Sequence, residues 1–177
     1  ILHYAGVPVV ENGMIRLKKE KRPGIPHILH LSEEFAELLG YFVAEGNVCK
    51  DKKRPASYRI VFSFGHSEEG LVKRTEWLLW QLFALRGSIV KRRTTITVEV
   101  GKSSLALLFY TLCGGHAGEK TVPNEIYLAK TRVMKAFIEG YFKGDGCKTE
   151  AYYVCSTTSR RLALGISWLL LRLGALP

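Results

Sequence analysis

The sequence of 177 residues predicts an α+β fold built from two related halves. The first observation is an internal repeat, because residues 38–46 and 138–146 share nearly the same pattern one hundred positions apart. The second is the order of local patterns in the first half, where helical and strand-like spacings follow one another as αββαββα. The third is that the second half begins in the same order. A chain of this length forms one domain, or one domain made of two similar halves.

The first copy of the repeat lies in a predicted helix at positions 33–45. Ser32 is a suitable N-cap, and the two acidic residues that follow it favour the N-terminal end of a helix. Gly46 is a suitable residue for the C-terminal end. Four apolar side chains recur at helical spacing and form one stripe: Phe35, Leu38, Leu39 and Phe42.

The second copy lies in a predicted helix at positions 134–145, which ends at Gly146. Its apolar stripe consists of Phe137, Ile138, Tyr141 and Phe142. Each helix also carries two small residues four positions apart on one face: Gly40 with Ala44, and Gly140 with Gly144. Glycine inside a helix costs about 1 kcal/mol relative to alanine. Its recurrence at the same place predicts that the two helices pack closely through these faces.

Each of these helices ends in an acidic residue, Glu45 in the first and Asp145 in the second. If the small faces meet, the two carboxylates lie together at the C-terminal ends. The helix dipole disfavours negative charge there, and each carboxylate raises the pKa of the other. A divalent cation between them would relieve both effects, and oxygen ligands at a partly hydrated site suit Mg²⁺. The alternative is that both residues are ordinary helix-end acids in solvent.

The rest of the first half is predicted to form a sheet and two helices. A strand at 58–64 alternates between aromatic or aliphatic residues and an opposite face that carries Arg59. Ser67 is predicted to cap a helix that ends at Gly87. An antiparallel sheet can leave one face free for a partner.

A hairpin with strands at 89–93 and 94–100, rich in β-branched residues, is predicted next. A helix at 102–113 completes the half. The outward residues of the sheet would include Arg59, Arg92 and Thr97.

The second half is shorter than the first. A strand at 152–157 and a helix capped by Ser159 and ended by Gly174 are predicted, without a further hairpin and closing helix. The second half is therefore predicted to be incomplete. The chain divides into a basic N-terminal arm or linker at 1–31, a first half at 32–120 and a second half at 121–177.

The charge of the chain favours a polyanionic partner. The net charge is +10 and the isoelectric point is near 9.6, and neutralisation of phosphates by such a surface releases counterions. Basic residues also cluster on predicted loops and strands, although a single cluster can be an ordinary solvated surface. The candidate DNA contacts are Lys52, Lys53, Arg54, Arg59, Lys91, Arg92, Arg93 and Lys148.

Other classes of protein are disfavoured by simple patterns. Four cysteines without a Cys-x-x-Cys pair indicate reduced thiols in an intracellular, cytoplasmic protein and give no zinc spacing. The apolar segment 162–176 is interrupted by Arg172 and is too short for a membrane span. Glu119 precedes Lys120 where a phosphate-binding loop requires glycine.

The repeated segments resemble the paired signature of the LAGLIDADG, or dodecapeptide, homing endonucleases, especially the domains carried inside archaeal inteins. The resemblance covers about residues 30–177 and includes the segments 35–41, 112–114, 119–123 and 137–140. In that family the motif helices join two pseudo-symmetric halves, the penultimate acid of each motif binds Mg²⁺, and the flanking sheets form a saddle over the DNA major groove. The resemblance implies that Glu45 and Asp145 are metal-binding catalytic acids and that Lys120 is an active-site lysine. The alternative for Lys120 is a surface lysine before a helix that starts at proline.

The resemblance implies a site-specific, Mg²⁺-dependent double-strand DNA endonuclease of intein or intron origin. It would act as a monomer with pseudo-two-fold symmetry, or as a dimer if another chain completes the second half. The alternatives are a catalytically inactive DNA- or RNA-binding member, an RNA maturase, and an unrelated basic interaction protein. The chain departs from the family in its incomplete second half, which should carry a second lysine. It begins with Ile1 and ends with Pro177, so no protein splicing is expected.

Overall fold

The computed structural model describes residues 8–21, 23–51, 54, 57–148 and 152–177. A three-stranded antiparallel sheet comes first and consists of β1 (Pro8–Glu11), β2 (Met14–Leu17) and β3 (Ile25–Pro26). The first half follows and contains α1 (Glu33–Glu45), β4 (Gly46–Lys50), β5 (Tyr58–Gly65), α2 (Glu69–Phe83), β6 (Ser88–Lys91), β7 (Thr95–Val100) and α3 (Ser103–Cys113). Its four strands form one antiparallel sheet in the order β4-β5-β7-β6. The predicted order αββαββα and the α+β class are confirmed.

Aromatic side chains fill the space between this sheet and the helices. Phe42 of α1 packs edge-to-face on Phe62 of β5 and on Phe109 of α3, with ring centroids 6.0 and 5.0 Å apart. Phe35 and Phe83 extend the same cluster. All five rings are buried. Because edge-to-face contacts add to the burial of large apolar areas, this cluster fixes α1 on the inner face of the sheet.

The N-terminal sheet is anchored to the first half, although the sequence predicted only an arm or linker there. Leu17 and Ile25 are buried in the core. The buried ammonium of Lys102 donates to the carbonyl oxygen of Lys21 at 2.7 Å and lies 3.9 Å from the carboxylate of Glu20. That carboxylate also accepts a hydrogen bond at 3.0 Å from the backbone N–H of Ser104, in the first turn of α3.

The ends of α2 differ from the prediction. Ser67 does not cap the helix, because residues His66–Glu68 form a single 3₁₀ turn and α2 begins at Glu69. The Glu68 carboxylate instead accepts a hydrogen bond at 2.6 Å from the backbone N–H of Gly65. The helix ends at Phe83 rather than at Gly87, with Ala84 in the left-handed region at φ +53°.

The predicted N-caps of two other helices are confirmed. The Ser32 hydroxyl accepts from the backbone N–H of Phe35 at 3.2 Å, and the Ser159 hydroxyl accepts from that of Leu162 at 3.3 Å. Gly46 follows the last residue of α1 as predicted, but its backbone is extended, with φ −90°. The chain therefore passes directly from α1 into β4.

The second half contains α4 (Asn124–Tyr127), α5 (Thr131–Asp145), β8 (Gly146–Lys148), β9 (Tyr153–Cys155) and α6 (Arg160–Arg172). Within the described residues its sheet has two strands, β8 and β9. An open groove of about 1210 Å³ lies between α5, β9 and α6 and is lined by Tyr141, Phe142, Val154, Ile166 and Leu170 among others. Phe142, the counterpart of Phe42, is only partly buried.

Helices α1 and α5 touch backbone to backbone at their glycines. A Cβ placed on Gly40 would lie 2.3 Å from the carbonyl oxygen of Phe137, and one on Gly140 would lie 2.5 Å from that of Glu37. A Cβ on Gly144 would lie 2.6 Å from the Cβ of Ala44. No other residue fits at either Gly40 or Gly140 without displacing a backbone, so the predicted close packing of the two helices is confirmed.

Substitution of one glycine in this interface should destabilise the protein where the same change elsewhere does not. We expect Gly140→Ala to lower the free energy of unfolding by about 1–3 kcal/mol, because the added methyl overpacks a rigid contact. Gly70→Ala is the matched control, since a Cβ there meets nothing within 4 Å and helix propensity favours alanine by up to about 1 kcal/mol. Urea denaturation of both variants measures the difference; equal stability of the two would contradict the packing argument.

Candidate metal centre and nucleic-acid interface

The contact between α1 and α5 brings the two terminal acids together. A Cβ on Gly144, the residue before Asp145, would lie 3.1 Å from Cγ and 3.9 Å from Oε1 of Glu45. Burial raises the pKa of Glu45 to about 7, and the negative charges of Asp145 and then Glu68 contribute to the rise. Partial burial also raises the pKa of Asp145, whereas the charge of Lys120 lowers it. The structure thus brings Glu45 against the residue before Asp145, and the two carboxylates interact electrostatically.

Lys120 lies directly behind this pair. Its side chain is 2% exposed, so the alternative of a surface lysine is wrong. Its ammonium donates at 2.9 Å to the carbonyl oxygen of Phe42 and lies 3.4 Å from the centroid of the Phe42 ring. Burial lowers the pKa of Lys120 to about 7, and the charge of Asp145 opposes that shift. The same Phe42 carbonyl also accepts from the backbone N–H of Gly46, so Lys120 neutralises the C-terminal end of α1.

The backbone around Lys120 is fixed on both sides. The Ser159 hydroxyl donates to the Lys120 carbonyl oxygen at 2.6 Å, and the backbone N–H of Thr121 donates to the carbonyl oxygen of Cys113 at 3.0 Å. The lysine is thus held by α3, by α6 and by the end of α1. Sequence reasoning gave its identity through the family resemblance but not its burial.

An open pocket of about 350 Å³ lies at Asp145. It is lined by Lys120, Asp145, Asn47, and residues 156–158 among others. The side-chain oxygen Oδ1 of Asn47 is buried and has no hydrogen-bond partner among the described residues. Sequence analysis missed Asn47, although its position two residues after Glu45 is a signal that could have identified it.

The residues present fit a hard divalent cation. Two carboxylates whose pKa values are raised by burial are electrostatically unfavourable as a pair of anions, and a cation between them reverses that. In the described part of the chain, no group of three or more His, Cys, Asp or Glu side chains is arranged to hold a metal ion. A cation held here would have two protein carboxylates and would complete its shell with water or phosphate oxygens, as Mg²⁺ commonly does.

The outer face of the four-stranded sheet carries two of the predicted DNA-contacting residues. Arg59 of β5 and Arg92, just after β6, each lie 3.4 Å from the carboxylate of Glu99 in β7. Thr97 also belongs to this face, but it is only 4% exposed, and its hydroxyl lies 3.2 Å from the same carboxylate. Sequence reasoning missed Glu99, which the two-residue alternation from Thr97 would have identified.

The other predicted DNA contacts are dispersed. Lys91 pairs in register with buried Ile96 and lies 3.7 Å from Glu69 of α2, so it lies on the helix side of the sheet and not with Arg59. Arg54 is exposed in the β4–β5 loop and binds Asp51 at 2.8 Å. Arg93 is exposed in the β6–β7 turn. Lys52, Lys53 and the side chain of Lys148 lie outside the described residues.

In the described part of the chain, no helix has the length and apolar character required to cross a membrane.

Comparison with known proteins supports the family resemblance that the repeated segments indicate. A family model for a LAGLIDADG-like domain matches residues 132–177. An A-type ATP synthase subunit of Pyrococcus abyssi is 31% identical over 175 residues, which are 96% of this chain and 16% of that protein. The DNA polymerase of Thermococcus hydrothermalis is 33% identical over 147 residues, which are 82% of this chain and 8% of that protein. The chain thus spans less than a fifth of the length of these relatives.

Solved structures share the fold. I-DmoI in complex with DNA and Mn superimposes with a TM-score of 0.63 at 22% identity, over 82% of this chain and 80% of that one. I-DmoI in complex with DNA and Ca gives 0.62 at 23% identity, over 81% and 73% of the two chains. The family match shows a LAGLIDADG-like domain in this chain, and the superposition shows that the chain has the fold of the homing endonuclease I-DmoI.

Proposed function

We propose that the chain is a site-specific, Mg²⁺-dependent endonuclease that hydrolyses both strands of a DNA duplex. The observation that carries the proposal is the position of Glu45 and Asp145 at the shared end of two tightly packed helices, with Lys120 behind them. Two carboxylates with a cation can serve an in-line displacement at phosphorus. The packed helices below keep the carboxylates at a fixed separation.

The acids and the lysine have separate roles in this proposal. Glu45 and Asp145 hold the cation, which when bound supplies a water of lowered pKa and positive charge beside the phosphate. Lys120 stabilises the negative charge that develops on the phosphate or polarises the attacking water. Because the charge of Asp145 favours the protonated form of Lys120, the pair keeps one positive charge close to the reacting group.

The outer sheet face provides the DNA contact. Arg59 and Arg92 lie about half exposed on that face, where arginine can read guanine edges in the major groove. The excess of positive charge favours binding to the phosphates. The complexes of I-DmoI with DNA support duplex DNA as the partner. In this proposal the protein acts in the compartment that contains the cell's DNA.

The relatives support an inserted, mobile origin of intein or intron type. A DNA polymerase and an ATP synthase component have unrelated activities, yet each matches this chain over a short part of its length. A domain shared in this way is expected of an insertion rather than of a module that serves either activity.

A catalytically inactive DNA- or RNA-binding protein is the second candidate. It is favoured by the second half, whose sheet has two strands within the described residues against four in the first. Both candidates bind nucleic acid, and only the first requires the two acids and a cation. Incubation of the protein with a plasmid library of randomised sites and Mg²⁺, followed by sequencing of the ends, distinguishes them.

Asp145→Asn should abolish cleavage and leave DNA binding nearly unchanged. Loss of one of two anionic ligands should lower the cleavage rate on the order of 100-fold or more, because the cation is then held by a single carboxylate. The cleavage rate on a site selected from the library and the DNA affinity in Ca²⁺, by fluorescence anisotropy, are the measurements. Glu139→Gln, the same change of charge at an exposed position of α5, is the control. Equal loss of binding and cleavage would contradict a catalytic role.

Cation binding should depend on pH through Glu45. Because its pKa is raised to about 7, the cation must displace a proton at pH 6 and none at pH 8. The affinity for Ca²⁺ should therefore rise about 10-fold over that range, with release of up to about one proton at the lower pH. Calorimetry in two buffers with different ionisation enthalpies measures both.

The stability of the cation-free protein should change in the opposite direction. A carboxyl whose folded pKa is raised contributes stability below its unfolded pKa, and that stability is lost as pH rises through about 7. The lowered pKa of Lys120 makes stability rise over the same range, so the measurement is made in a Lys120→Met background. There, thermal melting should show the loss due to Glu45 between pH 6 and 8, and Ca²⁺ should remove it. Glu45→Gln should lack the pH effect; a variant that keeps it would assign the titration to another group.

Lys120→Met should separate catalysis from stability. Methionine is close to lysine in length and fills the same apolar space, so the fold should persist. Removal of one charged donor should reduce the cleavage rate on the order of 10²-fold, with unchanged DNA affinity. Lys135→Met, at an exposed position of α5, is the control. A Lys120→Met variant that cleaves normally would leave the lysine a purely structural role at the end of α1.

A further inference from the structure

A single acid occupies the middle of the outer sheet face. Glu99 lies in β7, an inner strand, opposite Val61 of β5 and Ser88 of β6. Its neighbours along the strand, Val98 and Val100, are buried on the inner face. The side chain of Glu99 therefore lies on the outer face and is not part of the aromatic core.

The carboxylate of Glu99 is shared between two arginines. Its Oε2 lies 3.4 Å from Nη1 of Arg59, and its Oε1 lies 3.4 Å from Nη2 of Arg92. The hydroxyl of Thr97 donates to Oε1 at 3.2 Å. The side chain of Glu99 is 14% exposed, whereas those of Arg59 and Arg92 are 48% and 59% exposed. The acid is covered, and the two guanidinium groups above it remain open to a partner.

This arrangement has two physical consequences for a face that binds DNA. Each guanidinium has five N–H donors, so one contact with Glu99 orients the group and leaves donors free for a bidentate contact with a base. The negative charge also offsets much of the attraction of both arginines for phosphate, which is the sequence-independent part of DNA binding. Both consequences favour base contacts over backbone contacts.

We propose that Glu99 is a positioning residue that determines specificity: it holds Arg59 and Arg92 in place to read bases and weakens their binding to phosphate alone. This inference rests on the proposed DNA-cleaving function and assigns a role to a residue outside its catalytic centre. In this proposal, an acid at the centre of a basic, DNA-facing sheet increases the difference in affinity between a specific site and random DNA.

Glu99→Gln tests the inference, because it removes the charge and keeps the shape. The affinity for a random-sequence 30-base-pair duplex in Ca²⁺ should rise about 5- to 10-fold at 0.1 M salt. The slope of log K against log salt concentration should steepen by about 1 to 2, because each released arginine can neutralise one phosphate. Discrimination between a library-selected site and the random duplex should fall by about 10-fold.

Two further variants separate positioning from overall charge. Glu99→Asp keeps the charge but shortens the reach, so discrimination should fall while the salt slope changes little. Glu33→Gln removes an equal charge at an exposed ion pair with Arg132, at the other end of α1, and should leave both readouts unchanged. In a protein that also carries Arg59→Met and Arg92→Met, Glu99→Gln should have no effect on the salt slope.

The outcomes distinguish this inference from the proposed function. An unchanged salt slope and discrimination in Glu99→Gln, or the same effect in the background without the arginines, overturns the role of Glu99 alone. Specific binding by the unaltered protein without Mg²⁺-dependent cleavage overturns the endonuclease and leaves the role of Glu99 standing. Unaltered protein that binds no duplex overturns both.

Discussion

The backbone contact between α1 and α5 is the constraint on which the rest of the structure depends. At Gly40 and Gly140 the two helices approach so closely that a single Cβ would lie within 2.5 Å of a carbonyl oxygen. The helices consequently end at the same place, and the acid that terminates each one has a fixed neighbour. Glycine lowers the intrinsic stability of both helices, so these positions favour the close contact between the helices and not the formation of either helix alone.

This placement is electrostatically unfavourable, and the chain compensates with one buried lysine. Two helix C-terminal ends and two carboxylates accumulate negative charge on one side of a hydrophobic core. Lys120 donates a hydrogen bond to the Phe42 carbonyl oxygen near the end of α1, and its charge opposes the rise in the pKa of Asp145 that burial causes. Burial next to Phe42 and Cys113 lowers the pKa of Lys120 itself. Burial of these charges beside the proposed cation and phosphate site therefore lowers the stability of the fold.

The repeat allowed the helix pair and its close packing to be predicted from sequence, because both follow from local periodicity and from two matched glycines, whereas the strand β4 (Gly46–Lys50) was not among the predicted segments. The end of α2 at Ala84, ahead of Gly87, could not be predicted, because a non-glycine residue adopts the left-handed conformation there. The anchoring of Lys102 to Lys21 and Glu20 depends on contacts about eighty residues apart. The candidate DNA contact Lys91 was chosen by charge alone, whereas register determines on which side of the sheet a strand residue lies.

The two acids are inequivalent, although the motifs that carry them are near copies. Glu45 is surrounded by the completed first half, where burial and two negative neighbours raise its pKa to about 7. Asp145 ends a helix and lines an open pocket together with Lys120; burial raises its pKa, and the charge of Lys120 opposes that rise. The same motif therefore places its acid in two different electrostatic environments. Environments that separate the pKa values of two similar carboxylates commonly divide acid and base roles between them. Here both carboxyls have a raised pKa, and the charge of Lys120 opposes that rise at Asp145, so a cation bound between them would be held by two unlike ligands.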